Sequence, residues 1–237
     1  REKRFFQGLD FSNFRFATIV LFSTLVSSLE AIMKPALILV DIQNDFCPSG
    51  ALAVPDGDAV VPVANRLLER FPLAVLTQDW HPKGHISFAS TFGKEAYSLD
   101  SSTNPPSVLW PDHCVEGTHG ADFHPLLHTE KAKLIVRKGR SPRLDSYSAF
   151  YENDQVTPTG LCGFLRELGV DTVIVAGLAT DYCVRATAIH AAKLGFGVYV
   201  VQDGVRGVEA VPGDVARAFD EMRHYGCAIV LESELPL

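Results

Sequence analysis

Short runs of apolar, largely β-branched residues recur along the chain: ALILV at 36–40, LAVLT at 73–77, KLIVR at 133–137, TVIVAG at 172–177, VYVVQ at 198–202 and AIVLE at 228–232. Runs of this length that show almost no polar alternation predict six strands buried on both faces. Between most of them lie stretches with helical spacing, at 58–71, 160–169, 181–195 and 213–226, three of them closed by glycine. Strands alternating with helices predict an α/β fold, a three-layer α/β/α sandwich around a six-stranded, mostly parallel sheet. The interval 78–132 breaks the alternation. It is long and rich in His, Pro, Ser and Gly, and reads as a functional excursion. No internal repeat or shift of composition divides 33–237, which reads as a single domain.

Residues 1–32 stand apart, with a basic start followed by an apolar run from Ala17 to Leu29. That run is too short for a membrane span and is interrupted by Ser and Thr. It reads as a signal or anchor, an ordinary N-terminal helix, or an upstream extension ahead of a start at Met33. The last is favoured, because a strand begins at Ala36 and no chemistry depends on residues 1–32.

Composition narrows the class. With 237 residues, 47% hydrophobic and 21% charged, the chain can bury a sizeable core. Its 28 acidic and 21 basic residues give a formal charge of -7, and no Lys/Arg run offers a footprint for nucleic acid. Five cysteines, at 47, 114, 162, 183 and 227, are odd in number and scattered without CxxC spacing, which points to a reducing, cytoplasmic location.

Ligands of an open parallel sheet collect outside the carboxyl ends of its strands, so the residues that follow each strand are the ones to inspect. Asp41 follows the first, Asp79 the second and Lys138 the third; a small-residue corner after the fourth leads to Cys183. A carboxylate, an ammonium and a cysteine at one sheet edge are harder to attribute to turn chemistry than any of them alone. At the start of a helix a thiol gains from first-turn N–H groups and the helix dipole. Cys183 as a small buried hydrophobe is the plainer alternative.

LILVDIQNDF at 37–46, TQDWHP at 77–82, WPDHC at 110–114, RKG at 137–139 and AGLATDYCV at 176–184 together resemble the isochorismatase-like cysteine hydrolases, and among them the nicotinamidases. The resemblance runs in order over essentially all of 34–237. It implies a catalytic set of Asp41, Lys138 and the nucleophile Cys183. In that set the aspartate takes the thiol proton, and the lysine holds the carboxylate and favours the thiolate. It further implies a cis peptide before Ala179, so that the N–H groups of Ala179 and Cys183 form an oxyanion hole, and substrate-lining aromatics at Phe46, Trp110 and Tyr182.

Asp79 and His81 stand two apart, and His113 follows further on. A carboxylate with two imidazoles suits an open divalent site, although the spacing by itself is weak. The resemblance implies that these three are metal ligands, for zinc first and otherwise iron or manganese, and that the ion seats the pyridine nitrogen of nicotinamide. His85 is a weaker candidate behind them; His119, His124 and His128 read as solvent-facing or structural. Cys47, Cys114, Cys162 and Cys227 read as packing. The loop 94–108 bears on substrate range.

The expected reaction is nicotinamide plus water to nicotinate plus ammonia, with tolerance of pyrazinamide. Three rivals predict otherwise: another small-amide hydrolase, a non-catalytic binding protein, and a metal-water hydrolase that survives Cys183→Ala but not Asp79→Ala. No membrane partner is expected, and a homo-oligomer is left open.

Overall fold

The computed structural model describes residues 33–101 and 107–236. The leader or extension expected over 1–32 lies outside the described residues. Lys34–Leu237 form one compact unit.

Six strands form one sheet: β1 (Pro35–Val40), β2 (Ala74–Asp79), β5 (Leu134–Lys138), β6 (Thr172–Leu178), β7 (Gly197–Arg206) and β8 (Ala228–Val230), in the order β5-β2-β1-β6-β7-β8. Every pairing within it is parallel. The chain winds outward from β1 through β2 to β5, then crosses back to β6 on the other side of β1. The carboxyl ends of β1 and β6 therefore flank the point where the winding reverses, which is where such sheets bind ligands. Two antiparallel strands of two residues each, β3 (Leu99–Asp100) and β4 (Ser107–Val108), lie in the excursion after β2.

Alternation along the strands explains the layers. Leu37 and Leu39 of β1 join Val61, Ala64 and Leu67 of α1 (Val60–Arg70) in one core. Ala36, Ile38 and Val40 face the opposite core, with α2 (Leu161–Glu167), α3 (Arg185–Lys193) and α4 (Asp214–His224). Successive strand side chains point to opposite faces, so a strand covered on both sides must be apolar throughout, as β1 is. Two elements differ from the sequence reading. The helix expected over 181–195 opens with a wider π-type turn, Thr180–Val184, before α3. The fifth strand, expected to stop at Gln202, runs on to Arg206 through a register shift against β6.

Candidate active site

Four adjacent strand ends deliver the site in one row. Lys138 closes β5, Asp79 closes β2, Asp41 follows β1 and Cys183 lies in the turn after β6. Lys138 Nζ is fully buried, 2.9 Å from Asp41 Oδ2 and 3.0 Å from Asp79 Oδ1. It donates to the Ser146 carbonyl at 3.0 Å and lies 3.5 Å from Cys183 Sγ. Asp41 leaves its strand with φ 47, a left-handed backbone that Asp tolerates better than most residues. The Thr77 hydroxyl donates to Asp41 Oδ1 at 2.6 Å and accepts the Asp41 N–H at 3.1 Å. Oδ2, by contrast, accepts no hydrogen bond of good geometry beyond its ion pair with Lys138, so a lone pair stays available.

Burial is the largest single influence on each ionisable group of this cluster. It pushes the Cys183 thiol well above 9.0 despite the lowering influence of Lys138, and Asp41 and Asp79 add to the rise. Burial also raises Asp41, against Lys138. For Lys138, burial would lower the ammonium, but the two carboxylates outweigh it and hold the group charged well above 10.5. The shifts of Cys183 and Asp41 are both upward, which favours a neutral thiol beside a carboxylate of raised basicity. Burial opposes the stabilisation that first-turn N–H groups and the helix dipole would give a thiolate at Cys183. The Leu178–Ala179 peptide is cis, as the resemblance implies.

Asp79, His81 and His113 also converge, all of them buried. His81 Nε2 is 3.0 Å and His113 Nε2 3.5 Å from Asp79 Oδ2. Each ring's other nitrogen faces a backbone carbonyl, His81 Nδ1 to Gly139 at 2.9 Å and His113 Nδ1 to Pro111 at 2.7 Å. A carbonyl can only accept, so Nδ1 carries the proton and both Nε2 atoms aim at one carboxylate oxygen. Burial would raise the Asp79 carboxyl, yet His81 and Lys138 hold it well below 3.8; burial would lower His81, yet Asp79 lifts it to about 9. The spot favours positive charge, and two imidazoles with a carboxylate are the donor set of a divalent ion. The residues fit a metal. Gly139, at φ 64, is needed there, since a Cβ would come within 2.4 Å of the His81 ring.

Trp110 and Tyr182 meet edge to face at 4.8 Å between centroids, and Phe46 lies 5.6 Å from the His113 ring. These three line a narrow pocket together with Cys183, Ala179, Asp79 and His113. Sequence reasoning missed other contributors. Tyr147 and Asp145 line the same pocket, and the Tyr147 hydroxyl accepts the Trp110 indole N–H at 3.2 Å. Gln43 ties the end of β1 to β2 by accepting the Asp79 N–H at 2.7 Å and donating to the Asp79 carbonyl at 2.8 Å. Asp45 accepts the Cys114 N–H at 2.7 Å, steadying the loop that carries His113. Gln43 and Asp45 sit inside the DIQNDF stretch, but no strand-end rule distinguishes them. His85 stacks on His81 at 4.1 Å, with its nitrogens facing the Ser87 hydroxyl and the Leu144 carbonyl. From the 94–108 loop, Tyr97 sets its ring against Trp110 at 6.0 Å. All five cysteines are free, and burial pushes Cys47 up to about 11.

The fold and this site together define a hydrolase of a known class. The isochorismatase domain model matches residues 35–234, and the chain belongs to that family. It groups there with nicotinamidases. It is 48% identical over 198 residues to the nicotinamidase of Escherichia coli, covering 82% of this chain and 93% of that protein. A nicotinamidase/pyrazinamidase structure from Acinetobacter baumanii superposes with a TM-score of 0.83 at 45% identity, covering 87% of this chain and 100% of that one. A pyrazinamidase of Pyrococcus horikoshii, solved in complex with zinc, superposes with a TM-score of 0.69 at 42% identity, covering 83% and 98% of the two chains.

Proposed function

We propose that the chain is a nicotinamidase that converts nicotinamide and water to nicotinate and ammonia in NAD salvage, with pyrazinamide as a second substrate. The observation that carries this reading is a buried Lys138 within reach of both Asp41 and the Cys183 thiol, beside an aromatic pocket that Cys183 lines together with Asp79 and His113 of the Asp-His-His donor set. Asp41 takes the Cys183 proton as Sγ attacks the carboxamide carbon. Its raised basicity narrows the gap to the thiol, while Lys138 keeps the new charge neutralised. The oxyanion falls to the N–H groups of Ala179 and Cys183. Asp41 then passes its proton to the nitrogen that leaves as ammonia, draws one from the water that attacks the thioester, and returns it to Sγ as the C–S bond breaks. Phe46, Trp110 and Tyr182 hold the flat ring. Asp79, His81 and His113 would hold one divalent ion, zinc first and iron or manganese otherwise, which when bound offers the pyridine nitrogen a Lewis acid.

The working unit is the domain 33–237, with 1–32 outside the chemistry. Five unpaired cysteines support a cytoplasmic setting. Among the described residues no helix is long and apolar enough to cross a membrane.

The test is ammonia release from nicotinamide by metal-replete protein, chelated protein and Cys183→Ala. Release is expected from the first, reduced in the second and abolished in the third. Release that survives in Cys183→Ala would make a metal-bound water the nucleophile, and none from metal-replete wild type would sink the assignment.

A further inference from the structure

The pocket takes one wall from the segment after β7, whose end at Arg206 lies beyond the apolar run at 198–202. Val208 lines it alongside Cys183, Ala179 and Tyr182. It arrives there through the register shift in β7: Val175 faces Val200, but Gly177 faces Val205 and Leu178 faces Arg206. The extra β7 residues carry the strand's end up to the corner before Ala179, and Val208 follows two residues later. Gly207 makes the passage. A Cβ there would come within 2.2 Å of Val215 Cγ2 and 3.1 Å of Asp181 Oδ1, so a larger residue would have to displace Val215.

Asp181 clamps that segment. It is buried, and its two carboxylate oxygens accept the N–H groups of Val208 at 2.9 Å and Glu209 at 2.8 Å. Glu209, at φ 55, uses its own carboxylate to accept the N–H groups of Gly213 and, at 3.0 Å, Val215, at the start of α4. Asp181 belongs to the same π-type turn as Cys183. One rigid turn therefore presents the nucleophile and fixes the wall beside it, so the width of the slot between them is set locally.

We infer that Val208 is a specificity-determining residue, limiting which substituents a heteroaromatic amide can carry on its ring, and that Asp181 is the positioning residue that holds it. This rests on the pocket being the amide site proposed above. A methyl group more or less in an apolar pocket changes discrimination by about tenfold or more. A clamp that loses one of two charged acceptors lets the wall move and relaxes the same discrimination.

The test uses the zinc-loaded full chain as wild type, Val208→Ala, Asp181→Asn and the double variant, assayed for ammonia release from nicotinamide and from each ring-methylated nicotinamide. Val208→Ala is expected to raise kcat/KM for at least one methyl isomer, relative to nicotinamide, by about tenfold. Asp181→Asn is expected to move the same isomer in the same direction through KM. The double variant should show the ratio of Val208→Ala alone, because Asp181 acts through that wall. Unchanged ratios in Val208→Ala, with wild type active on nicotinamide, overturn the inference and leave the activity standing. Equal losses on every amide in Asp181→Asn overturn the positioning role. Wild type inactive on nicotinamide overturns the activity and this inference together.

Discussion

The proposed proton transfer from Cys183 to Asp41 joins two buried groups, so their ionisation has a measurable signature. Burial is the largest influence on Asp41 and raises its carboxyl above the ordinary 3.8, against Lys138, while Asp79 adds to the rise. A base with a raised pKa is lost to protonation at a higher pH than an ordinary aspartate. The acid limb of kcat/KM on nicotinamide is therefore expected to have its midpoint above 3.8. The thiol, held well above 9.0, should alkylate slowly with iodoacetamide at pH 7 and faster only on the alkaline side of 9. Rapid alkylation at neutral pH would contradict a resting thiol. Asp41, Lys138 and Cys183 were legible in the sequence because each follows a strong apolar strand and sits in a recognisable stretch. Tyr147 was not, since it lies in a loop whose path to Trp110 is set by tertiary contacts, among them the hydrogen bonds to Trp110 and Asn153.

At the scale of elements, the site depends on how closely β1 and β6 approach where the winding reverses. Gly177, at φ 116, sits opposite Val40, and a Cβ there would come within 2.1 Å of the Val40 carbonyl oxygen. Gly177→Ala must force a left-handed alanine and push the two strands apart just below Asp41 and Cys183. A destabilisation of about 1–3 kcal/mol from the backbone conformation alone is expected, with further loss from the clash. Urea unfolding should show a lower midpoint at unchanged slope, and a midpoint equal to wild type would refute the argument. Strand boundaries came out within a residue or two wherever the apolar run was uninterrupted. They failed at β7, whose Gln202 and Asp203 read as a strand end. The sheet continues past them because β6 accepts a register shift, and a shift is a property of two strands that neither sequence displays by itself.

For the molecule as a whole, a divalent ion that binds the folded Asp79, His81 and His113 and not the unfolded chain stabilises the fold by mass action. Dialysis against a chelator is expected to lower the Tm together with the ammonia release, and zinc should restore both. A Tm indifferent to chelation would speak against an ion at these three residues. The sequence by itself determined the layered α/β architecture, the strand order along the chain and the residues at four strand ends, because apolar periodicity and strand-end chemistry are local. Only the tertiary structure decided that β5, β2, β1 and β6 are neighbours. It alone set Lys138 between two carboxylates and brought His113 to Asp79 across a long excursion. It also set the burial that pushes the Cys183 thiol up, since desolvation depends on what every other part of the chain packs around the sulfur.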